Sequence, residues 1–229
     1  MKVASVIFDL DGTLLDTLQD LTDSVNTVLA RHNMPLRDIE EIRRFVGNGI
    51  PMLIRRAVRA GTSEEEIALC TQEMLDYYAE HCDIKTAPYP GVNEMLLHLR
   101  ERGIATAVVT NKDQKAAEVL CAEKFGDGLQ CVVGARQNLG FKPAPDGVFA
   151  AMQEIGARAE STVYVGDSDV DMQTAANAGL PAVGVLWGFR SRTDLQPYQP
   201  AAMVRSMAEL ENPSPCSELR YTRIMASGK

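Results

Sequence analysis

The stretch VIFDLDGTLLD, residues 6–16, decides the fold. Asp9 and Asp11 stand at the end of a short apolar run, and a Gly-Thr pair follows them at once. The apolar run predicts a buried strand, and Gly12 predicts a tight turn directly after it. Two carboxylates held this close repel each other by roughly 1 to 4 kcal/mol at effective dielectrics between those of water and a protein surface. A divalent cation between them would reverse the sign of that interaction.

The rest of the chain repeats the pattern of a buried strand followed by a helix. The strand-like runs are continuous rather than alternating, as in strands buried on both faces of a parallel sheet. They lie at 3–8, 106–110, 131–135, 162–166 and 181–186. Helical patterns lie at 91–102, 112–124, 146–155 and 169–178. This alternation predicts an α/β fold with a doubly wound parallel sheet, similar to a Rossmann fold.

One segment interrupts the alternation. Residues 17–82 contain no strand-like run and read as four helices, at 17–32, 38–45, 50–60 and 63–82. The sequence TAPYPGV that follows, with two prolines and a glycine, is typical of a stiff boundary. We therefore predict three parts: a core of residues 1–16 and 83–212, a helical insertion at 17–82, and a C-terminal tail at 213–229.

Composition limits the partners and the compartment. The 229 residues carry a formal net charge of -8, which argues against nucleic acid or an anionic membrane as the main partner. The five cysteines are scattered and predict neither a disulfide framework nor a zinc site. The N-terminal apolar run is too short for a signal peptide, and an uncharged apolar run of membrane-spanning length is lacking. These features predict a cytoplasmic protein, either a monomer or a homodimer.

Unusual residues follow four of the predicted strands. They are Asp9 and Asp11 after the first, Thr110 and Asn111 after the second, Lys142 after the third, and Asp167 and Asp171 after the fourth. The carboxyl ends of parallel strands meet at one edge of the sheet, so these residues are expected to converge there. Oxygen ligands of this kind suit Mg²⁺.

With a cation in place, these residue types match phosphoryl transfer. Asp9 can attack phosphorus as a carboxylate nucleophile, and Asp11 can protonate the leaving alcohol and later activate water. Gly12 lets backbone amides approach a bound oxyanion. The remaining groups, Thr110, Asn111 and Lys142, would hold the phosphoryl oxygens.

Ordinary structural roles remain open for some of these residues. Asp167 and Ser168 could cap the helix predicted at 169–178, a role that is compatible with metal binding. Lys142 precedes a proline and could be a solvated loop lysine. Asp169 is expected to face solvent in the first turn of that helix.

These motifs resemble those of the haloacid dehalogenase superfamily, phosphatase branch. All four of its motifs occur in order: D-x-D-G-T at 9–13, the strand-end threonine at 110, the lysine at 142 and G-D-S-x-x-D at 166–171. The resemblance implies Asp9 as nucleophile and metal ligand, Asp11 as acid/base and main-chain ligand, and Asp167 as metal ligand, with Asp171 supporting the water shell of Mg²⁺. It also implies that the insertion at 17–82 is a mobile cap.

Within this superfamily, residues 45–58 and 183–192 are similar to bacterial phosphoglycolate phosphatases. The resemblance thus implies a hydrolase acting on a small phosphate monoester, 2-phosphoglycolate first. Alternatives are a phosphatase for a nucleotide, a sugar phosphate or pyrophosphate, a sugar-phosphate mutase, and a non-catalytic binding module. A dehalogenase would need neither Asp11 nor a metal, and a phosphonate hydrolase would use a cap lysine, whereas residues 17–82 contain no lysine.

Overall fold

The computed structural model describes residues 3–211. Within this range the chain divides into two compact units. Residues Asp16–Ala87 form one, here called the helical unit, and the residues before and after it form the other, here called the sheet unit. The tail predicted at 213–229 lies outside the described residues, and the role of the helical unit as a mobile cap stays a prediction.

The described range contains eight strands, five of which lie at or near the predicted positions. They are β1 (Ser5–Phe8), β2 (Leu15–Asp16), β3 (Ala87–Pro88), β4 (Ala105–Asp113), β5 (Cys131–Ala135), β6 (Thr162–Gly166), β7 (Ala182–Val185) and β8 (Ala202–Val204). β2 and β3 have two residues each and lie outside the main sheet.

The helices follow the predicted 3.6-residue periodicity. The helical unit contains α1 (Leu18–Arg31), α2 (Ile39–Phe45), α3 (Gly49–Ala57) and α4 (Glu64–His81). The sheet unit contains α5 (Val92–Glu101), α6 (Gln114–Phe125), α7 (Asp146–Glu154), α8 (Asp169–Asn177), α9 (Arg192–Leu195) and α10 (Met207–Glu211). Among residues 3–211, none of these helices is long and apolar enough to cross a bilayer.

The main sheet has the strand order β5-β4-β1-β6-β7-β8, and every neighbouring pair is parallel. The predicted α/β fold with a doubly wound parallel sheet is therefore confirmed. β1 lies between β4 and β6, with Ser5 in register with Ala105 on one side and Thr162 on the other. Its central position explains why it is buried along its whole length and why its apolar run is uninterrupted.

One face of the sheet packs on α7 and α8. Ile7, Val109 and Val133 of three adjacent strands contact a cluster that includes Val148 of α7 and Met172 of α8, all nearly inaccessible to solvent. Each such side chain contributes roughly 1.5 to 3 kcal/mol through burial. This core fixes the strands whose carboxyl ends carry the charged residues.

Two predicted boundaries were wrong. β4 continues to Asp113 instead of ending at 110, and α6 begins at Gln114 instead of 112. The cause is the Asp113 side chain, which accepts hydrogen bonds from the amides of Lys115 and Ala116 and so caps α6. β8 was missed because its three residues carry little β-branched signal.

In the helical unit, α1 buries an apolar stripe. Leu18, Leu21, Val25 and Val28 are all buried, and α4 contributes Met74 to the core of the unit. A carboxylate is buried on α1 as well. Asp20 accepts hydrogen bonds from the amides of Ile84, Lys85 and Thr86 and from the Thr86 hydroxyl, at 2.8 to 3.1 Å. The Asp20 side chain thus connects residues 84–86, at the end of the helical unit, to α1.

Replacing Asp20 by asparagine is expected to lower the free energy of unfolding by about 1 to 3 kcal/mol, because buried amide donors lose a charged acceptor. Asp23→Asn is the matched control, since Asp23 lies on the same helix and binds the Lys85 ammonium at the surface, where such pairs contribute about 1 kcal/mol or less. Urea denaturation of both variants measures the difference. Equal losses would show that the Asp20 hydrogen bonds contribute little.

Candidate active site

The parallel sheet brings the predicted residues to one edge of the sheet unit. Asp9 directly follows β1, Thr110 lies in the last part of β4, and Asp167 directly follows β6. Lys142 lies in the loop between β5 and α7. The carboxyl ends of adjacent parallel strands therefore supply the whole group, as the fold class predicts.

Lys142 lies between two aspartates. Its ammonium is 2.7 Å from Asp9 Oδ1 and 2.8 Å from Asp171 Oδ1. Its side chain is only 4% exposed, so the role of a solvated loop lysine is excluded. Burial by itself lowers the pKa of Lys142, but the charges of Asp171 and Asp9 outweigh it and hold the pKa well above its ordinary value. Lys142 is therefore a fixed cation next to the Asp9 carboxylate.

Asp171 is held by groups from its own helix start. Its Oδ2 accepts hydrogen bonds from the Ser168 amide at 3.0 Å and the Ser168 hydroxyl at 2.6 Å. The Ser168 hydroxyl in turn accepts from the Asp171 amide, which completes a capping box for α8. Ser168, not Asp167, is thus the N-cap. The S-x-x-D spacing signals this arrangement in the sequence.

Sequence reasoning missed a tyrosine in the same cluster. The Tyr164 hydroxyl donates to Asp171 Oδ1 at 3.2 Å and accepts from Lys142 Nζ at 3.3 Å. The ring is fully buried in β6, and burial raises the pKa of Tyr164 well above its ordinary value. A tyrosine in a strand is normally a core residue, so its hydroxyl contacts give no signal in the sequence.

Asp167 is fixed from both sides. Its Oδ2 accepts from the Phe189 amide at 2.7 Å, and its Oδ1 accepts from the Thr13 hydroxyl at 3.2 Å. The loop after β7 is also anchored through Trp187, whose indole N–H donates to the Thr13 carbonyl at 3.0 Å. Asp169, expected to face solvent, instead pairs with Arg190 at 3.2 Å and is half-buried.

Gly12 is required by this packing. Its φ of +89° lies in the left-handed region, and a Cβ there would lie 2.6 Å from Asp167 Oδ2. The turn closes with a hydrogen bond from the Gly12 amide to the Leu15 carbonyl at 2.8 Å. A side chain at position 12 would therefore displace the carboxylate of Asp167.

Three acids of this edge could share one metal ion. One carboxylate oxygen from each of Asp9, Asp167 and Asp171 lies within 4.8 Å of the others, and all three residues are buried. Burial and the neighbouring Asp171 raise the pKa of Asp9 well above its ordinary value and that of Asp167 to about 7. Buried oxygen donors that repel one another fit a hard divalent cation such as Mg²⁺.

The Asp11 side chain stands apart from these three acids. Its carboxylate is 17% exposed, and its Oδ1 lies 3.1 Å from the ammonium of Lys112. Lys112 was missed by sequence reasoning because the strand was expected to end at Thr110. The site thus contains two separate aspartate–lysine pairs: Asp9 with Lys142, and Asp11 with Lys112.

Thr110 and Asn111 make local contacts at the end of β4. The Thr110 hydroxyl accepts a hydrogen bond from the Lys112 amide at 3.1 Å. The Asn111 side chain accepts from the Lys142 amide at 2.7 Å and donates to the Lys142 carbonyl at 3.1 Å. Asn111 therefore holds the loop that carries Lys142. Direct contacts of both residues with a phosphoryl group stay a prediction.

Comparisons with known proteins show which family the chain resembles. The family model for haloacid dehalogenase-like hydrolases matches residues 6–185. A phosphoglycolate phosphatase from Pseudomonas syringae pv. syringae is 34% identical over 211 residues, which are 90% of this chain and 77% of that protein. A phosphoglycolate phosphatase from Mesorhizobium japonicum is 33% identical over 204 residues, which are 87% of this chain and 89% of that protein.

A solved structure agrees as well. The crystal structure of a predicted phosphoglycolate phosphatase from Haemophilus somnus superposes with a TM-score of 0.84 at 28% identity. The match covers 92% of this chain and 97% of that one.

Proposed function

The chain belongs to the family of haloacid dehalogenase-like hydrolases, and from this premise we propose that it is a Mg²⁺-dependent phosphatase of a small phosphate monoester, 2-phosphoglycolate in the first place. The phosphatase class is supported by relatives named phosphoglycolate phosphatase that align with about nine-tenths of the chain. Assignment to the cytoplasm and the choice between monomer and homodimer stay predictions from the sequence.

The observation that carries the proposal is the Asp9–Lys142 contact of 2.7 Å at the carboxyl edge of the sheet. A buried ammonium beside a carboxylate favours the charged, nucleophilic form and opposes the burial that raises the pKa of Asp9, and it can also offset the charge of an incoming phosphoryl group. The nearby carboxylates of Asp167 and Asp171 supply the oxygen donors for Mg²⁺. Bound Mg²⁺ would neutralise charge on the phosphoryl oxygens.

In the proposed reaction, Asp9 attacks phosphorus with a carboxylate oxygen while the bond from phosphorus to the ester oxygen breaks. Asp11 gives its proton to that departing oxygen, so the oxygen leaves as a hydroxyl group rather than as an alkoxide. Asp11 then accepts a proton from water, which attacks phosphorus and releases inorganic phosphate. Asp9 is regenerated as a carboxylate, and the aspartyl-phosphate is the only covalent intermediate.

The residues have distinct uses in this sequence of steps. Lys142 would offset the negative charge of the phosphoryl group. Asn111 fixes the loop that carries Lys142 through two hydrogen bonds to the Lys142 main chain. Asp9, Asp167 and Asp171, with the main-chain carbonyl of Asp11, would hold Mg²⁺. Gly12 keeps the turn narrow enough for backbone amides to face the phosphoryl group.

The proposal is tested with a panel of phosphate esters assayed with Mg²⁺ and after removal of the metal with EDTA. The panel holds 2-phosphoglycolate, a nucleotide, a sugar phosphate, pyrophosphate and p-nitrophenyl phosphate. We expect Mg²⁺-dependent release of phosphate with the largest kcat/KM for 2-phosphoglycolate. A much larger value for a nucleotide or pyrophosphate would overturn the substrate assignment, and isomerisation of the sugar phosphate without phosphate release would indicate a mutase.

Mg²⁺ is expected to raise the melting temperature more at pH 8 than at pH 5.5. Because burial raises the pKa of Asp167 to about 7 and that of Asp9 well above its ordinary value, the metal-free fold holds protons that the unfolded chain has lost. Its stability therefore falls as the pH rises from ~4 to ~7. The cation binds the deprotonated carboxylates and offsets that loss.

Differential scanning calorimetry with and without Mg²⁺ at the two pH values measures this effect. Asp167→Asn should reduce the difference between the Mg²⁺-induced shifts at the two pH values, whereas Asp169→Asn, at the nearby half-buried pair with Arg190, should leave that difference unchanged. If Mg²⁺ raised the melting temperature by the same amount at both pH values, the result would argue against metal binding by these carboxylates.

A further inference from the structure

The ammonium of Lys112 has no role in the mechanism above, although it lies beside the proposed acid/base. Its Nζ is 3.1 Å from Asp11 Oδ1, and its side chain is only 5% exposed. Lysines are almost never buried to this extent without a charged partner. Removing an ammonium from water costs free energy. The buried position of Lys112 at the end of β4 therefore indicates a function that an exposed lysine could not perform.

The pair is largely shielded from solvent, with the Lys112 side chain 5% and the Asp11 side chain 17% exposed. Cys121 of α6 is buried, and burial raises the pKa of its thiol to about 12, with Asp11 raising it further and Lys112 lowering it. Both charges therefore act on the same buried thiol. An ammonium in such surroundings attracts a nearby anion more strongly than one screened by water.

The two lysines divide the site into two sides. Lys142 contacts Asp9, which is the phosphoryl side in the proposed reaction, and Lys112 contacts Asp11, which is the leaving-group side. The leaving oxygen must come within hydrogen-bond distance of the Asp11 carboxylate to take its proton. If the leaving oxygen contacts Asp11 Oδ1, the oxygen 3.1 Å from Lys112 Nζ, it lies within roughly 6 Å of that ammonium.

In 2-phosphoglycolate the carboxylate sits on the carbon that carries the leaving oxygen, so it can reach an ammonium at this distance. We infer that Lys112 binds the carboxylate of the leaving group, so that the site selects phosphate esters of short hydroxy acids over esters of uncharged alcohols. This inference rests on the proposed function and assigns its substrate preference to one side chain.

Lys112 could instead serve only to position Asp11, and the experiment has to distinguish this role from substrate binding. If the ammonium acted only by orienting Asp11, its removal would slow the cleavage of all alkyl phosphates alike, whatever the charge of the alcohol. If it binds the substrate carboxylate, the loss depends on whether the substrate has one. The ratio of two kcat/KM values measured on the same preparation therefore distinguishes the two roles, and it does not depend on the fraction of folded enzyme.

The experiment compares 2-phosphoglycolate with ethyl phosphate, which has the same carbon count and lacks the carboxylate. The variants are Lys112→Met, which keeps the side-chain length and removes the charge, and Lys115→Met, an exposed lysine of α6, as the matched control. We expect Lys112→Met to lose about 10- to 100-fold in kcat/KM for 2-phosphoglycolate, the size of a lost hydrogen bond to a charged group. Ethyl phosphate should lose much less, and Lys115→Met should match the parent protein on both esters.

Equal losses on both esters would overturn the inference and assign Lys112 to the positioning of Asp11. Unchanged kinetics on both esters would overturn it as well. If the parent protein hydrolyses phosphate esters but prefers ethyl phosphate, the inference fails while the phosphatase proposal stands. If the parent protein hydrolyses neither ester with Mg²⁺ present, the proposed function itself fails.

Discussion

Replacing Asp9 by asparagine is expected to lower kcat by ~10⁴-fold or more, because the amide cannot form the covalent intermediate. The amide has the same shape as the carboxylate, so the contacts around Lys142 and Asp171 should change little. The measurement is steady-state phosphate release from 2-phosphoglycolate at saturating Mg²⁺. Circular dichroism and the melting temperature check that the variant is folded.

Asp169→Asn is the matched control for this change. Asp169 lies in the first turn of α8, two residues after Asp167, and its carboxylate pairs with Arg190. Its replacement should leave turnover near the level of the parent protein. Comparable activity of Asp9→Asn and the parent protein would contradict the assignment of Asp9 as nucleophile.

Replacing Asp11 by asparagine is expected to have the second largest effect, a loss of ~10² to 10⁴ in kcat/KM with 2-phosphoglycolate, which is the usual contribution of a general acid. We use kcat/KM because it reports on the steps up to release of the alcohol and not on the later hydrolysis of the intermediate, in which Asp11 acts as base. The loss should be much smaller with p-nitrophenyl phosphate, since its leaving group departs without protonation. The two substrates are compared under the same conditions with the same preparation.

Asp16→Asn serves as the control for Asp11, because Asp16 belongs to the same stretch of sequence and is exposed. Its replacement should change neither rate greatly. If Asp11→Asn lost the same factor with both leaving groups, Asp11 would act on the phosphoryl side, and its role as the acid for the alcohol would be wrong.

The topology could be predicted from the sequence because a parallel sheet leaves strong local signals. Each buried strand shows as an uninterrupted apolar run, and the charged residue that ends it stands out. Asp9, Lys142 and Asp167 were found in this way. Their convergence follows from the parallel direction of the strands, whereas the distances between their side chains depend on packing that no local pattern encodes.

The contacts that could not be predicted involve main-chain groups or ordinary core residues. The amide of Phe189 binds Asp167 Oδ2, but a main-chain donor does not depend on the residue type that supplies it. The Tyr164 hydroxyl binds Lys142 and Asp171 from within a strand. Lys112 was hidden because β4 runs three residues beyond its predicted end.

The charged side chains of the site form two groups. Three buried acids and Lys142 form one group, while Asp11 and Lys112 form a second, separate group. Buried charges of this kind cost stability unless they are paired. The separation supports the proposed nucleophilic role of Asp9 and the proposed proton-transfer role of Asp11, because each carboxylate has its own ammonium.

The most direct test of the central claim, that the phosphoryl group passes through Asp9, is chemical trapping of the intermediate. The protein is mixed rapidly with 2-phosphoglycolate and Mg²⁺, quenched in acid, reduced with borohydride, which attacks acyl phosphates selectively, and analysed by peptide mass spectrometry. The account predicts reduction at position 9 and at no other carboxylate. Reduction at a different residue, or an initial burst of glycolate from enzyme whose Asp9 stays unmodified, would contradict it.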